Sequence, residues 1–222
     1  MPPVPRVMPA RTGTMAEKDI IGRTEEPNSV ESLRGDLEAL GVEPGMVLLV
    51  HSSLSALGWT IGGPVAVVLA LEAAVREYGT IVMPTQTGDL SDPAGWHNPP
   101  VPKAWWDRIR EEMPPFDPEM TPSRGMGAVP ECFRTQPGVV RSMHPHDSFA
   151  AWGERAVDIC SSHELDYGLG EGSPLARIYE LDGWVLLLGC GFDSNTSFHL
   201  AEYRADYGAK QEVESYAPIL VA

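Results

Sequence analysis

The chain has 222 residues, a formal net charge of −15 and 43% hydrophobic residues. This length fits one domain with a large core, and no apolar run approaches the roughly 18 residues of a membrane-spanning helix. The excess of carboxylates argues against nucleic acid as a partner, because phosphate binding requires an excess of lysine and arginine, and it favours a cationic ligand, although many acidic proteins are simply soluble.

The N-terminal residues are rich in proline, arginine and small side chains and contain no continuous apolar stretch. We expect a disordered leader or an expression remnant over residues 1–27, rather than a secretory signal, and a folded domain over residues 28–222. Cys132, Cys160 and Cys190 are widely spaced and odd in number. This pattern favours buried thiols in a reducing compartment, and therefore a cytoplasmic protein, over disulfides.

The first half of the domain has the pattern of a βαβ unit. Residues 28–31 resemble a capping box that opens an amphipathic helix, which ends at Gly41. Residues 46–50 are a continuous apolar run, typical of a strand buried on both faces. Residues 65–78 have a helical pattern, and residues 80–83 form the next strand. This order predicts an α/β fold with a mostly parallel central sheet and flanking helices.

The second half alternates short elements with long irregular segments. Residues 85–102 and 114–127 are too long for ordinary connections, and we interpret them as active-site loops. Residues 149–153 have the composition of a short buried strand, and residues 184–188 are predicted to form another clearly buried strand. Further helices are predicted at residues 104–113, 129–134, 154–163 and 174–181 and from Asn195 through Glu202.

The loop after the first strand, His51–Gly63, has the composition of an anion-binding loop. It offers serine hydroxyls, backbone N–H groups and two glycines before a helix N-terminus, which suits a phosphate or a carbonyl oxygen. It is not a Walker loop, since no lysine follows the glycines, and it lacks the Rossmann spacing. The alternative is that the glycines serve only the turn.

The segment Arg141–Gly153 contains the candidate general base. His144 and His146 flank a proline, and Asp147 follows them; histidine is the side chain whose ordinary pKa lies nearest neutrality. A loop whose histidines satisfy local hydrogen bonds is one alternative. A metal site at this segment is another alternative, but no further ligand appears elsewhere at a recognisable spacing, and we expect no metal. The chain also lacks the Gly-x-Ser-x-Gly elbow of serine hydrolases.

The last predicted helix supplies a candidate partner for a catalytic histidine. His199 and Glu202 are three residues apart and therefore lie on one face. Glu202 can accept a hydrogen bond from a histidine, and an imidazole backed by a carboxylate is a stronger and better oriented base. The alternative is an ordinary solvated helix face. The sequence identifies no partner for His97 or His163, and we expect core or surface positions for both.

A series of motifs resembles one protein family, in the same order along the chain. The matching stretches are His51–Gly58, Gly62–Pro64, Met83–Leu90, Asp92–Trp96, Pro115–Pro118, Gly125–Gly127, Arg141-Ser142 with His144-Pro145 and Ser148–Ala151, Gly170–Leu175 and Asn195–Glu202. Through them, residues 28–207 resemble the aminoglycoside 3-N-acetyltransferases. That family uses acetyl-coenzyme A and does not share the fold of the larger general acetyltransferase superfamily.

The resemblance implies a role for each candidate residue. The residues expected along coenzyme A are His51, Ser52, Ser53, Leu54, Ser55, Gly62 and Gly63. His144 is expected to take the proton of the attacking amine in a ternary complex, supported by Glu202, while backbone N–H groups near Ser52 and Ser53 are a hypothetical oxyanion site. The candidates for substrate binding are Thr85, Asp89, Asp147 and Glu171.

The implied activity is acetyl transfer from acetyl-coenzyme A to the 3-amino group of a 2-deoxystreptamine aminoglycoside, which gives antibiotic resistance. Because the family usually continues well past Tyr207, the resemblance also implies a C-terminally shortened or compact variant. Two alternatives stay open, namely acetylation of another amine and non-catalytic binding of cationic ligands. The sequence leaves the oligomeric state open, a homodimer included.

Overall fold

A five-stranded sheet forms the centre of the molecule in a computed structural model that describes residues 17–208, 210–211 and 213–219. The order of the strands across this sheet is β3-β4-β2-β1-β5. The strands are β1 Val47–Ser52, β2 Thr80–Pro84, β3 Val140–Arg141, β4 Phe149–Gly153 and β5 Trp184–Leu188.

The sheet is mixed, and the prediction of a mostly parallel sheet is corrected. Strand β1 pairs in parallel with β2 and β5, as the βαβ pattern predicted, but β4 is antiparallel to both β2 and β3. Antiparallel neighbours need only a short connection, and β3 and β4 are joined directly by residues 142–148. Apolar composition identified β4 as a strand, but composition does not determine strand direction.

The antiparallel course of β4 decides where the histidine segment lies. Phe149, the first residue of β4, pairs with Pro84, the last residue of β2. The connection from β3 to β4 therefore lies at the carboxyl edge of the parallel strands, together with the loops that follow β1 and β5. This edge is where open α/β sheets bind ligands.

Eight helices surround the sheet within the described residues. They are α1 Glu17–Arg23, α2 Val30–Leu40, α3 Pro64–Val75, α4 Trp106–Glu112, α5 Ala128–Arg134, α6 Ala156–Cys160, α7 Pro174–Glu180 and α8 Ser197–Arg204. The predicted capping box at α2 is present, but Ser29 closes it with Ser32 rather than with Glu31: each serine oxygen accepts the backbone N–H of the other residue. Gly41 then ends the helix at a φ of 104°.

Alternate strand residues build two hydrophobic clusters, one on each face of the sheet. Leu48 and Val50 of β1 pack with buried residues of α2, α3 and α5. Leu49, between them, points the other way and packs with residues of α6, α7 and α8. Helices thus cover both faces, which explains why β1 is a continuous apolar run.

Strand β5 departs from the predicted burial. It forms an edge of the sheet, where Trp184 is 62% and Val185 39% exposed, and Leu186 is the one residue of the strand that is buried. The strand predicted at residues 184–188 is present, but the prediction that it is buried is wrong for most of its length. Residues 213–219 contain no strand.

The prediction of a disordered leader does not hold for residues 17–27. Helix α1 forms there and is held against the loop after β1 by two hydrogen bonds to Trp59. Glu17 accepts one from the indole N–H (3.1 Å), and the hydroxyl of Thr24, just after the helix, accepts one from the Trp59 amide (2.8 Å). Residues 1–16 of the predicted leader lie outside the described residues.

Cys132, Cys160 and Cys190 are free thiols, and burial raises the pKa of Cys160 to about 12. None of the helices formed by the described residues has both the length and the apolar character needed to cross a membrane. The described residues also contain no cluster of three or more histidines, cysteines or carboxylates suited to a metal ion.

Candidate active site

A cavity of about 1070 Å³ opens next to the connection between β3 and β4. Its walls are residues 144–147, residues 165–169, one face of α8, and parts of residues 207–219. Three of the predicted site residues line it together, namely His144, Asp147 and Glu202. The cavity therefore joins the candidate base to the candidate carboxylate from the distant helix.

Backbone groups hold His144 from both sides of its ring. The side chain is 4% exposed. Its Nδ1 accepts hydrogen bonds from the amides of Asp147 (2.8 Å) and His146 (3.2 Å), and its Nε2 lies 3.2 Å from the carbonyl oxygen of Leu165. Because an atom that accepts an amide N–H carries no proton, this geometry assigns the neutral ring its proton at Nε2.

The electrostatic surroundings keep His144 neutral. Burial is the main influence and lowers the pKa of His144, while the negative charge of Asp147 opposes this shift. The Asp147 carboxylate lies 4.0 Å from Nδ1 and is partly exposed to the cavity. A neutral imidazole beside a carboxylate is the arrangement that a proton acceptor requires.

Glu202 faces the same cavity but hydrogen-bonds to a different histidine. Its carboxylate lies 2.7 Å from Nδ1 of His199, the residue one turn earlier on α8. The predicted common face of these two residues is confirmed. The expected hydrogen bond between Glu202 and His144 is not present in this structure, where the two residues occupy different walls of the cavity.

The charges lining the cavity are mostly negative. Its described lining contains four carboxylates against a single lysine or arginine, Lys210, whose ammonium donates to the carbonyl oxygen of Tyr203. The carboxylates belong to Asp147, Asp166, Glu202 and Glu214. Such a lining attracts a cation and repels an anion.

The candidate coenzyme loop lies at the carboxyl end of β1, beside the start of α8. His51 is 5% exposed, and its Nε2 lies 3.4 Å from the Thr196 hydroxyl. Burial lowers the pKa of His51 to about 4, so its imidazole is neutral. The residues of this loop do not line the cavity around His144. Thr196 precedes α8, whose His199 and Glu202 do line it, so α8 links the two regions.

Two features of this loop suit a bound group. The Ser52 hydroxyl is buried and has no hydrogen-bond partner among the described residues, although buried polar atoms are normally paired. Gly62 and Gly63 have φ values of 83° and 58°, which other residues rarely adopt, and Pro64 then begins α3. The positive φ values explain why glycine is needed here.

The remaining substrate candidates are bound to other protein groups. Thr85 is fully buried, and its hydroxyl bonds with the Ser148 carbonyl oxygen (3.1 Å). Asp89 pairs with Arg124 at 3.3 Å. Glu171 forms a two-pronged ion pair with Arg204 (2.6 and 2.9 Å), which lowers the pKa of its carboxyl group. None of these three residues lines the His144 cavity.

Arg141, noted in the sequence only as part of the histidine segment, holds the surrounding loops together. The residue is 8% exposed, and its guanidinium donates to Thr85 and Ser148 and to the carbonyl oxygens of Pro118 and Thr121. Burial lowers its pKa to about 10. Sequence analysis missed this role because these acceptors, mostly backbone carbonyl oxygens, leave no motif.

Comparison with protein families identifies one match that covers most of the chain. Residues 49–222 match the family model described as aminoglycoside 3-N-acetyltransferase. Among individual relatives, the chain is 52% identical over 205 residues to the SPbeta prophage-derived aminoglycoside N(3')-acetyltransferase-like protein YokD of Bacillus subtilis (strain 168), covering 92% of this chain and 75% of the relative. It is 41% identical over 210 residues to aminoglycoside N(3)-acetyltransferase VIII of Streptomyces fradiae, covering 93% and 72%.

The chain also superposes on solved structures of related proteins. The crystal structure of YokD superposes with a TM-score of 0.89 over 92% of this chain and 75% of that one. The AAC-IIIb binary complex with CoASH is 39% identical, with a TM-score of 0.73 over 84% and 68%. AAC-VIa bound to sisomicin is 35% identical, with a TM-score of 0.75 over 84% and 68%.

Proposed function

Because the chain belongs to the aminoglycoside 3-N-acetyltransferase family, we propose that it transfers acetyl from acetyl-coenzyme A to the 3-amino group of a 2-deoxystreptamine aminoglycoside. The family membership confirms the resemblance inferred from sequence motifs. The observation that carries the proposal is the carboxylate-lined cavity around a buried neutral histidine, in a chain of this family. The expected consequence for the cell is aminoglycoside resistance. The free thiols favour the cytoplasm as the compartment of the protein.

The cavity suits a substrate with several ammonium groups. Asp147, Asp166, Glu202 and Glu214 face it with little opposing charge, and charge pairs inside a cleft are stronger than in bulk water. One related structure is bound to the aminoglycoside sisomicin. Of the carboxylates predicted to bind substrate, Asp147 lines the cavity, whereas Asp89 and Glu171 would have to leave their arginine partners to bind an ammonium group.

The loop after β1 suits coenzyme A, which supplies the acetyl group as a thioester. The unpaired Ser52 hydroxyl and the glycine pair before α3 leave polar groups available to a ligand. A related structure is a binary complex with CoASH. We assign His51, Ser53, Leu54 and Ser55 to the same contact surface, and the backbone N–H groups near Ser52 to the developing oxyanion.

His144 is the proposed proton acceptor for the attacking amine. In the resting geometry the Nδ1 lone pair accepts the Asp147 amide, and Nε2 carries the proton. The ring must therefore exchange one of these backbone bonds when substrate binds, a rearrangement that catalytic side chains often undergo between the free and bound states. The proposed role of Glu202 is to stabilise the imidazolium across the cavity.

Release of free thiol from acetyl-coenzyme A tests the proposed activity. The assay compares 2-deoxystreptamine aminoglycosides with amines that lack that ring, each at matched concentration. We expect thiol release with the aminoglycosides and a product acetylated at the 3-amino group, located by NMR. Release only with other amines would replace the substrate assignment, and binding of aminoglycosides without any thiol release would indicate a non-catalytic binder.

A further inference from the structure

His163 lies against the face of His144 and has no role in the mechanism described above. The two ring centroids are 4.6 Å apart, with 28° between the ring planes. His163 is not among the residues that line the cavity. It therefore contacts the proposed base without facing the substrate.

The hydrogen bonds of His163 fix both its orientation and its tautomer. The Ser142 hydroxyl oxygen accepts the Phe149 amide (2.9 Å), so its own proton is free to point to Nδ1 of His163, 2.9 Å away. Nε2 of His163 then carries the ring proton and donates it to the Gly168 carbonyl oxygen (2.6 Å). Burial lowers the pKa of His163 to about 4, so this ring stays neutral near pH 7.

The same hydrogen bond fixes the backbone that lies against His144. A Cβ atom on Gly168 would lie 2.6 Å from Nε2 of His144 and 2.8 Å from its Cε1, closer than real Cβ contacts allow. Leu165, in the same segment, provides the carbonyl oxygen that faces Nε2 of His144. His163 thus limits the motion of His144 at two places: its ring covers the face, and its bond to Gly168 holds the backbone at the Nε2 edge.

We propose that His163 is a positioning residue for His144, which it holds by ring stacking and through Gly168. Proton transfer depends on the alignment of the acceptor nitrogen, and a displacement of about 1 Å can lower the rate roughly a hundredfold. The inference rests on the proposed role of His144 as the base. The structural part of the proposal, that His163 restrains the His144 ring, holds whatever the substrate is.

Two substitutions separate the two contacts. His163→Phe keeps a ring to stack on His144 but removes both hydrogen bonds, whereas His163→Gln keeps a donor within reach of Gly168 but removes the ring. We expect each to lower kcat by about tenfold or more, with both KM values within about twofold of the wild type. Glu43→Gln, at an exposed position that precedes β1 and does not line the cavity, is the control and should leave kcat unchanged.

NMR relaxation of the His144 ring Cε1–H group provides a readout that does not depend on turnover. We expect microsecond-to-millisecond exchange broadening of this signal in both His163 variants and a narrow signal in the wild type and in Glu43→Gln. If both variants keep a narrow signal and wild-type kcat, the proposal is overturned. It is also overturned if kcat falls only in proportion to a lost folded fraction, measured by circular dichroism. If the broadening appears in a protein that acetylates no amine, the proposed function fails while the positioning of His144 stands.

Discussion

Gly168 is the residue whose missing side chain allows the backbone to approach His144. A Cβ there would lie 2.5 Å from the Asp147 carboxylate as well as 2.6 Å from Nε2 of His144. We expect Gly168→Ala to displace the ring and lower kcat by about tenfold or more, with a loss of roughly 1–3 kcal/mol in the free energy of unfolding. Steady-state kinetics and urea unfolding measure both effects.

Gly35→Ala is the matched control for this substitution. Gly35 is exposed in the middle of α2, and no atom lies within 4 Å of the position that a Cβ would take there. Alanine should leave kcat unchanged and raise stability by roughly 0.5–1 kcal/mol, because glycine is a poor helix former. Wild-type kcat in Gly168→Ala would show that the backbone does not confine His144.

The buried histidines predict a loss of stability in mild acid. Burial lowers the pKa values of His51 and His163 to about 4, whereas in the unfolded chain they titrate near 6.5. The unfolded state therefore binds more protons as the pH falls from about 6.5 to about 4, and the free energy of unfolding decreases through that window. At about 1.4 kcal/mol per pKa unit, each histidine contributes at most roughly 3.5 kcal/mol to this decrease.

His163→Phe tests the assignment, since it removes one of the two groups. Urea unfolding at several pH values between about 7 and 4 should give a shallower decrease for His163→Phe than for the wild type. His97→Phe, at an exposed position, should keep the wild-type slope. An identical slope in all three proteins would mean that His163 is not held neutral by burial.

At the scale of secondary-structure elements, Arg141 connects β3 with the loops after β2 and before α5. Its donors reach oxygen atoms only of uncharged groups, including Thr85, Ser148 and the carbonyls of Pro118 and Thr121. Lysine at this position cannot reproduce the planar fork of donors, so we expect Arg141→Lys to lower the free energy of unfolding by roughly 2–4 kcal/mol.

The control is Arg108→Lys on α4, where the arginine is 78% exposed and pairs with Glu112. That change should cost less than about 0.5 kcal/mol, because exposed ion pairs contribute little. Equal losses in the two variants, measured by urea unfolding, would refute a connecting role for Arg141.

Local patterns predicted most of the elements, and the reason is visible in particular residues. Ser29 begins α2 and Gly41 ends it, each through hydrogen bonds to backbone groups only a few residues away. Strand β1 is apolar throughout because helices cover both of its faces. The direction of β4 and the exposure of Trp184 could not be predicted, since both depend on which distant strand lies alongside.

The candidate site was also predicted only in part, because motifs identify residues but not the contacts between distant segments. His144, Asp147 and Glu202 were identified by motif and do line one cavity. The stacking of His163 on His144 was missed, because the segment that follows α6 must fold back before the two rings meet. Spacing within a helix predicted that Glu202 and His199 share a face, and no sequence rule indicated that Glu202 would bond to His199 rather than to His144.

At the scale of the whole molecule, the net charge of −15 agrees in sign with the lining of the cavity. A negative field concentrates a polycationic substrate near the protein. Salt weakens this attraction, because the Debye screening length is roughly 10 Å at 0.1 M salt and becomes shorter as the salt concentration rises. We expect KM for the aminoglycoside to rise several-fold between about 50 and about 500 mM salt, with little change in kcat.

The same salt series for acetyl-coenzyme A is the control. Coenzyme A is an anion, so screening should not raise its KM, since the field of the protein opposes its binding. A KM for the aminoglycoside that is insensitive to salt would argue that the acidic cavity does not attract the substrate.

The central claim is that His144 is the general base for acetyl transfer. Its most direct test is thiol release by His144→Ala at saturating concentrations of both substrates. We predict a fall in turnover by a factor of about a hundred to ten thousand, the range expected for a lost general base. Coenzyme A affinity, measured by calorimetry, should stay within about twofold of the wild type, because its proposed site is the loop after β1. Turnover close to that of the wild type would contradict the account.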